Sequence, residues 1–520
     1  MASPSETAAL LSGHGDGDDV QSTTRSEAAA AAAAAHHHRR LVLSIVLISV
    51  VAADFGNALS LAPQLKLYES LICRRIFGRV AANDGDGGDL ICKSPRVQSE
   101  LAILIGWKDT FDQIPGITLV LLYGWAADVI GRKPVLLLAL GGLFFEDVAV
   151  RLLTWWAFTT TPSSSLRLIW LAPIFQVMGG GPGTATSMAY SIITDTFSAA
   201  DRTSVYFYLG AAILIGEFLA TPLSALLMTW TPWLPFLAGT GCQIIAFSAA
   251  SFLPETKRAG AAASTVPVPV PQAAESMVSG AAAPVKNSWF WQKCFDLASA
   301  LNAHWKTTRS SKTGFNTTCM FASFLTASVG SSSLSFMTQY ASRRFSWSIP
   351  KASLLLSLKG AINIVCLLVV LPNVSRVLSQ TMPATAKELR IVKASVLCWT
   401  VGLALMAFAA QAAPFIVGIT ILSLGSGYLA SLRSLANALV PQAQVGLVNG
   451  QIGLATGVGS LVAGPSMAAA FQRGMRLDGL WSGLPYIIAA VLFSAATALA
   501  WCIDVTSDSH SCATSSADED

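Results

Sequence analysis

Long apolar stretches alternate with short polar ones along most of the chain. Twelve of these stretches have the roughly 20 predominantly apolar residues that a helix needs to cross a bilayer. The pattern therefore predicts an all-α membrane protein with twelve transmembrane helices. We number these spans one to twelve, and they lie near 41–64, 102–125, 134–155, 167–192, 204–228, 233–253, 316–340, 351–372, 390–411, 414–438, 445–470 and 484–503.

A polar segment separates the first six spans from the last six. It is rich in Pro, Ala and Ser, which is typical of a disordered or extended linker, and its residues 289–305 have the pattern of an amphipathic helix on the membrane surface. The predicted domains are a disordered cytoplasmic tail, a six-helix half, a cytoplasmic linker, a second six-helix half and a second disordered cytoplasmic tail, at 1–40, 41–253, 254–312, 313–504 and 505–520.

Composition supports a membrane protein independently of the span pattern. The chain is 53% hydrophobic and 12% charged, whereas soluble domains contain about 25% charged residues. The net charge of +4 and the dispersed basic residues give no indication of nucleic-acid binding. The chain has no phosphate-binding Gly-x-x-x-x-Gly-Lys-Ser/Thr motif, and all six histidines lie outside the spans. We therefore expect no ATP hydrolysis, no intramembrane metal and no cofactor.

Lys and Arg residues predict the orientation of the chain. If the N-terminus is cytoplasmic, the inner segments hold more of these residues than the outer loops, as the positive-inside rule requires. The excess is modest because the long first outer loop contains several arginines. This orientation makes the loop between spans two and three cytoplasmic.

That cytoplasmic loop contains the most specific motif in the chain. Gly124 is followed by Asp128 and then by Gly131, Arg132 and Lys133. A small residue such as Gly124 lets helices approach closely, and Gly131 permits a tight turn. The two charges at Asp128 and Arg132 are costly in lipid unless they pair at the interface. This arrangement resembles the cytoplasmic signature of the major facilitator superfamily.

Four shorter stretches resemble a fungal group within that superfamily, the general-substrate and secondary-metabolite transporters. Span five departs from the drug–proton antiporter pattern, because Gly216–Pro222 stands where a Gly-Pro pair and paired glycines are expected. The resemblance covers 41–504 and implies two six-helix halves that alternate access to a central cavity. The four stretches are 69–74, 97–102, 253–256 and 483–486.

Three ionisable residues lie deep inside spans that the resemblance places beside the cavity. Asp54 is in span one, Glu217 in span five and Lys359 in span eight. Each costs several kcal/mol against lipid, so each is expected to face a cavity or a partner. A carboxylate in such a place can exchange protons. Glu217 is the first candidate for proton coupling and Asp54 its rival, and a static structural pairing of the three is the alternative.

Asp112 and Gln113 occupy the outer half of span two. They are candidates for lining the cavity or the outer gate. A solvated helix end is the competing interpretation, because the neighbouring Lys108 and Asp109 indicate water nearby. In span three, Asp147 and Arg151 are four residues apart and can pair on one helix face, which favours a structural role.

Glu146 immediately precedes the Asp147–Arg151 pair, and we expect it to have the same structural role.

Two further charges flank the inner end of span four. By resemblance, Asp195 is the expected partner of Arg132 and closes the inner gate, and Arg202 belongs to the same gating motif.

Cys73 and Cys92 both lie in the predicted first outer loop. An oxidising compartment on that side permits a disulfide, which would restrain a polar loop rich in Gly and Asp. Two free thiols near the helix ends are the alternative.

The sequence thus predicts a secondary transporter, not an enzyme, which moves a small, moderately apolar organic solute through a lipid bilayer. Proton-coupled efflux of a metabolite or toxin is the first hypothesis. Proton-coupled uptake of a nutrient or anionic solute is the second, since Lys359 suits an anion. A non-transporting receptor or scaffold on the same fold is the third. The protein is expected to be a monomer in the plasma membrane, with the vacuolar or another internal membrane as the alternative.

Overall fold

The computed structural model describes residues 16–78, 91–160, 166–197, 199–255, 312–440, 445–477 and 479–503. Within these ranges the chain is helical, with short connecting turns and no strand. The predicted linker from residue 256 onward, its surface helix and the C-terminal tail from residue 504 lie outside the described residues.

Helices occupy all twelve predicted positions. Span one is Asp16–Phe77, span two Pro95–Ile130 and span three Arg132–Thr159. Span four combines a 3-10 helix, Leu166–Met178, with the α-helix Gly181–Thr196. Spans five and six are Ala199–Leu227 and Trp233–Ser251.

The second half repeats this arrangement with more interruptions. Span seven contains Lys312–Ser331, a 3-10 turn at Ser332–Phe336 and Met337–Arg344. Span eight contains Ile349–Val365, a π-helical turn at Cys366–Val370 and Leu371–Ser379. Span nine is Ala384–Phe408, and span ten is Ala412–Leu424 followed by Tyr428–Ala438. Spans eleven and twelve are Val445–Leu477 and Leu484–Cys502, with a 3-10 turn, Gly479–Gly483, between them.

Nine of the helical stretches in the described part of the chain are long and apolar enough to cross a membrane. The helices of spans two, three and four are present but are not among these nine. Spans two and three contain several charged residues in their membrane-spanning parts. Several of these charges form ion pairs with one another inside the bundle.

Span one begins earlier than predicted. Its helix starts at Asp16, so most of the stretch 1–40, which was expected to be a disordered tail, is helical. The reason is the run of eight alanines that ends at Ala35, because alanine has the highest intrinsic helix propensity.

Span four is broken where glycines allow it. Gly180 and Gly181 have φ values of 76° and 73°, which residues with a side chain rarely adopt. Gly179 packs directly against the backbone of Ala139 in span three, where no Cβ would fit. The break joins the 3-10 segment to the α-helical inner part of the span.

Each half has its own apolar core. In the second half, the rings of Tyr340, Phe415 and Tyr486 pack together with centroids 5.0–6.0 Å apart. In the first half, the rings of Trp233 and Phe236 pack against each other near span three. Such closely packed aromatic pairs add to the stabilisation from burial alone.

The two halves meet through span two against span eleven, span five against span eight, and span one against span eight. Ala102 of span two is buried in the core of the second half, and Ile349 of span eight is buried in the core of the first. Both lie near the end of the bundle that carries the Cys73–Cys92 disulfide, which joins Cα atoms 5.2 Å apart. Because disulfides form on oxidising sides of membranes, we call this the outer end.

Candidate transport pathway and its gates

The charged residues of spans one, five and eight lie at one level between the halves. A Cβ at Gly216 would lie 3.5 Å from Val51, one turn from Asp54, so Asp54 and Glu217 are on neighbouring turns of packed helices. A Cβ at Gly360 would lie 3.8 Å from the Cα of Phe218, which places Lys359 beside Glu217 across the contact between the halves.

Glu217 is the central member of this trio. Its charge acts on Asp54 on one side and on Lys359 on the other. Its side chain is exposed, whereas those of Asp54 and Lys359 are half-buried. No ion pair within 4.0 Å joins these three described side chains. The three charges therefore lie near one another without forming a closed ion pair.

Above this level, spans two and eleven close the outer side through glycines. A Cβ at Gly106 would lie 2.6 Å from the carbonyl oxygen of Gly464 and 2.6 Å from the Cβ of Ala468. Thr110 packs against Gly464 from the next turn. Lower on the same helix pair, Gly457 packs against Ile117. Small residues at each crossing let the two backbones touch.

A hydrogen-bond network seals the outermost layer of this gate. The amide of Gln339 in span seven donates to the backbone oxygen of Gln98 at 2.7 Å and to its side-chain oxygen at 3.0 Å. Gln98 in turn donates to Glu69 at 2.7 Å and to the Cys92 carbonyl at 3.2 Å. The predicted disulfide is confirmed, and it holds the residue that accepts a hydrogen bond from Gln98.

In the outer half of span two, Asp112 is held in an ion pair with Lys108 and is not simply part of a solvated helix end. The Lys108 ammonium pairs with Asp112 at 2.5 Å, and its side chain is only 17% exposed. Asp109 is half-buried. Gln113 is exposed. The charges of Lys108 and Asp109 suggested water at this level. Hydropathy treats each charge separately and does not show that Lys108 pairs with Asp112.

Asp147 and Arg151 form the ion pair predicted for span three. The guanidinium also donates to the Phe236 carbonyl at 2.8 Å and to the Ser60 hydroxyl at 2.9 Å. Thr240 donates to the other oxygen of Asp147 at 3.1 Å. The pair therefore ties span three to spans one and six, as a structural element would.

Glu146 has different neighbours, on another side of span three. The amide of Gln176 in span four donates to one of its oxygens at 2.6 Å, and Lys108 lies 3.8 Å from the other. Glu146 is 8% exposed. It therefore belongs to the polar cluster of span two and not to the Asp147–Arg151 pair.

At the inner end, Arg132 lies 3.4 Å from the carboxylate of Asp195, its expected partner. Both residues belong to the first half, so this pair does not itself join the two halves. The backbone N–H of Arg132 donates to Glu255 at 3.1 Å. Glu255 thus binds the N-terminus of span three, where the helix dipole favours a carboxylate. Sequence reasoning assigned no role to Glu255, although its Leu-Pro-Glu-Thr stretch was one of the matching segments.

The other motif residues give a mixed result. Gly131 has a φ of 110°, as its predicted turn requires, and a Cβ there would contact the Glu255 carboxylate. Gly124 does not mediate a close helix contact in this structure, because no described atom would lie within 4 Å of a Cβ there. Lys133 is half-buried. The side chains of Asp128 and Arg202 lie outside the described residues.

Comparison with known proteins identifies the family. The family model for the Major Facilitator Superfamily matches residues 43–463, which include the cytoplasmic motif at 124–133 and the charge trio. The chain belongs to the Major Facilitator Superfamily. It is therefore a multi-pass membrane transporter for small molecules and not an enzyme.

Two curated relatives from fungi are similar over most of their length. One is the efflux pump ustT of Aspergillus flavus, 30% identical over 459 residues, which are 86% of this chain and 85% of the relative. The other is the MFS efflux pump atnC of Emericella nidulans, 30% identical over 465 residues, which are 87% and 86% of the two chains.

A solved structure of a D-xylose-proton symporter has the same fold. It covers 89% of this chain and 97% of its own, with a TM-score of 0.58 and 13% sequence identity. At this identity the likeness concerns the fold alone.

Proposed function

We propose that this protein exports a small, moderately apolar organic solute in exchange for protons, by alternating access to a cavity between its two halves. The observation that supports this best is the trio of Asp54, Glu217 and Lys359, which face one another at the contact between the halves without an ion pair. Ionisable residues within membrane spans mark solute or proton pathways.

The direction of transport is inferred from the relatives. The two fungal relatives at 30% identity are both named efflux pumps. The outer gate is closed in this structure, and the described inner-gate contacts of Arg132 with Asp195 and Glu255 lie within the first half. Such an arrangement is suited to loading solute from the inner side. Residence in the plasma membrane and a monomeric state belong to the same proposal.

The energy source is inferred from the carboxylates. A carboxylate beside a cavity can bind a proton in one state and release it in the other, and Glu217 lies between a carboxylate and an ammonium. Solute bound near Lys359 competes with that proton for the same charges. One cavity of this kind therefore couples the two flows by electrostatic competition.

Lys359 favours a second candidate, the movement of an anionic solute. Its ammonium is the cation of the trio, and an anion can replace Glu217 as its partner. Uptake of such an anion with protons would use the same residues in the reverse direction.

The experiment is a dye-efflux assay with the protein in yeast cells. The probes are rhodamine 6G, a neutral coumarin and fluorescein, which differ in charge but are all small aromatic solutes. We expect at least one dye to leave wild-type cells faster than cells with the Lys359→Ala/Glu217→Ala variant. Addition of an uncoupler should abolish the difference. Faster accumulation inside the cells would support uptake instead, and equal rates with surface-expressed variants would support a scaffold.

A further inference from the structure

A buried polar cluster lies in the interior of the first half, away from the central trio. Its core is Lys108 and Asp112 of span two and Glu146 of span three, with Gln176 of span four beside it. The ammonium of Lys108 is 2.5 Å from Asp112 and 3.8 Å from Glu146. The Gln176 amide donates to Glu146 at 2.6 Å. The cluster therefore has two carboxyl groups and one cation.

This cluster has fewer hydrogen-bond donors than buried acceptor atoms. The carboxyl groups of Asp112 and Glu146 both approach the same ammonium, that of Lys108, at 2.5 Å and 3.8 Å. Ionised carboxylates only accept hydrogen bonds, so two of them cannot bond directly. The second oxygen of Asp112, Oδ1, is buried and has no partner among the described groups. A single proton between the carboxyls supplies the missing donor.

The charges lead to the same conclusion. With both carboxyls ionised, the cluster carries one net negative charge in a site where Glu146 is 8% exposed. An uncompensated charge in the interior is costly. With one proton bound, Lys108 balances the remaining carboxylate and the cluster is neutral.

The other charged groups nearby are already engaged. From span one, the Tyr68 hydroxyl accepts a hydrogen bond from Gln64 at 2.7 Å. From span three, Asp147 pairs with Arg151. Asp109 of span two interacts electrostatically with Lys108 and Asp112, and it adds a further carboxyl group and not a cation. From span four, the neighbouring group is the neutral Gln176. None of these groups supplies a second cation to the carboxyl pair.

We propose that Lys108, Asp112 and Glu146 form a proton-binding site distinct from the central trio, and that its proton stabilises the closed outer gate. The link to the gate is the helix that they share. Gly106 and Thr110, which flank Lys108, pack against Gly464 of span eleven. Loss of the proton leaves a net charge directly behind these contacts, which favours entry of water and separation of spans two and eleven.

This inference rests on the proposed proton-coupled cycle for its role, but its test needs neither a solute nor transport. In an exporter, a proton loaded from outside would close the outer gate and prepare the return to the inward-facing state. The site would thereby sense the outer pH, while the central trio exchanges solute for protons.

The experiment measures the outer gate directly as a function of pH. Spin labels at Arg96→Cys and Lys351→Cys, both exposed at the outer ends of the two halves, report short distances when the gate is closed. All other cysteines except Cys73 and Cys92 are replaced by serine, and the protein is held in nanodiscs between pH 5 and pH 8. For wild type we expect the ratio of the closed to the open population to fall about tenfold as the pH rises. For one proton this ratio can change by no more than about tenfold per pH unit.

Glu146→Gln should stay closed at every pH, because the amide supplies the missing donor and the cluster remains neutral. Asp112→Asn should behave in the same way, which guards against a folding defect peculiar to one variant. The Asp112→Asn/Glu146→Gln double variant leaves the Lys108 ammonium without either carboxylate of the cluster, and it should lose the closed state. The matched control is Glu100→Gln, which removes an exposed carboxylate from the same helix and should keep the wild-type response.

A wild-type ratio that does not change with pH overturns the inference. So does a wild-type response that persists in Glu146→Gln and Asp112→Asn. If the response is lost in Glu217→Gln instead, the gate is controlled by the central trio, and proton coupling stands while this site does not. A failure of proton-driven efflux with an intact gate response would contradict the proposed function and leave the site supported.

Discussion

The carbonyl oxygen of Gly464 in span eleven would lie 2.6 Å from a Cβ on Gly106 in span two, so the two halves touch there backbone to backbone. A real Cβ does not approach a carbonyl oxygen so closely, and a carbonyl cannot rotate away as a flexible side chain can. The closed outer gate therefore requires glycine at this crossing.

Gly106→Ala should hold the outer gate open and reduce transport about tenfold or more, because each 1.4 kcal/mol of strain in the closed state is a factor of ten. The matched control is Gly453→Ala on span eleven, where no described atom lies within 4 Å of an added Cβ. Spin-label distances across the outer end and dye efflux measure the two effects. Normal closure in Gly106→Ala would show that the helices can separate without loss of the gate.

Arg132 is expected to act as a gate residue and not as a solute ligand. Arg132→Ala removes its ion pair with Asp195, so turnover should slow about tenfold while equilibrium solute binding changes by no more than a few-fold. Arg132→Lys keeps the charge without the planar fork and should have a smaller effect. Loss of binding with a normal rate of interconversion between states would contradict this assignment.

Glu217→Gln mimics the protonated carboxyl in the central trio. It should reach the membrane and exchange solute across the bilayer, but it should lose accumulation driven by a proton gradient. Asp54→Asn is the matched comparison on span one. Measurements of gradient-driven uptake and solute exchange in inverted vesicles distinguish the two. If only Asp54→Asn loses coupling, the coupling site is on span one, and if neither variant does, facilitated diffusion replaces proton exchange.

The Cys73–Cys92 disulfide should stabilise the outer end of the first half. It closes a loop with a sequence separation of 19, for which chain-entropy arguments give about 3 kcal/mol. Cys73→Ser/Cys92→Ser should therefore lower the thermal unfolding temperature in detergent, and a reductant should do the same to wild type. Cys502→Ser, at an exposed free cysteine, is the control. An unchanged unfolding temperature in the double variant would place the bridge outside the cooperative unit.

The sequence predicts the helices and the disulfide well because both depend on local information. About 20 apolar residues in a row have one stable form in a bilayer, and Cys73 and Cys92 are close in sequence on the same side of the membrane. The start of span one at Asp16 was missed because the polar tail contains a run of alanines, which forms a helix without any apolar face.

The polar interior was predicted less well because its partners come from different helices. Lys108 lies one turn from Asp112, but Glu146 and Gln176 come from spans three and four, and only the packing of the bundle brings them together. Similarly, Glu255 follows span six and reaches the N-terminus of span three, 123 residues away along the chain. A motif shows which residue types are present, whereas their contacts depend on how the helices cross.

The position of the disulfide also has a consequence for how the protein is made. Cys73 lies at the outer end of the span-one helix and Cys92 just before span two, so the bridge can form once those two spans are inserted and this end has reached an oxidising compartment. The remaining residues, from 131 to 520, then take about 20 to 80 s to synthesise, whereas oxidation can occur within seconds. The first loop can thus be fixed before the second half of the transporter exists. Hosts that synthesise membrane proteins without an oxidising lumen are expected to yield a chain that assembles its halves in a different order.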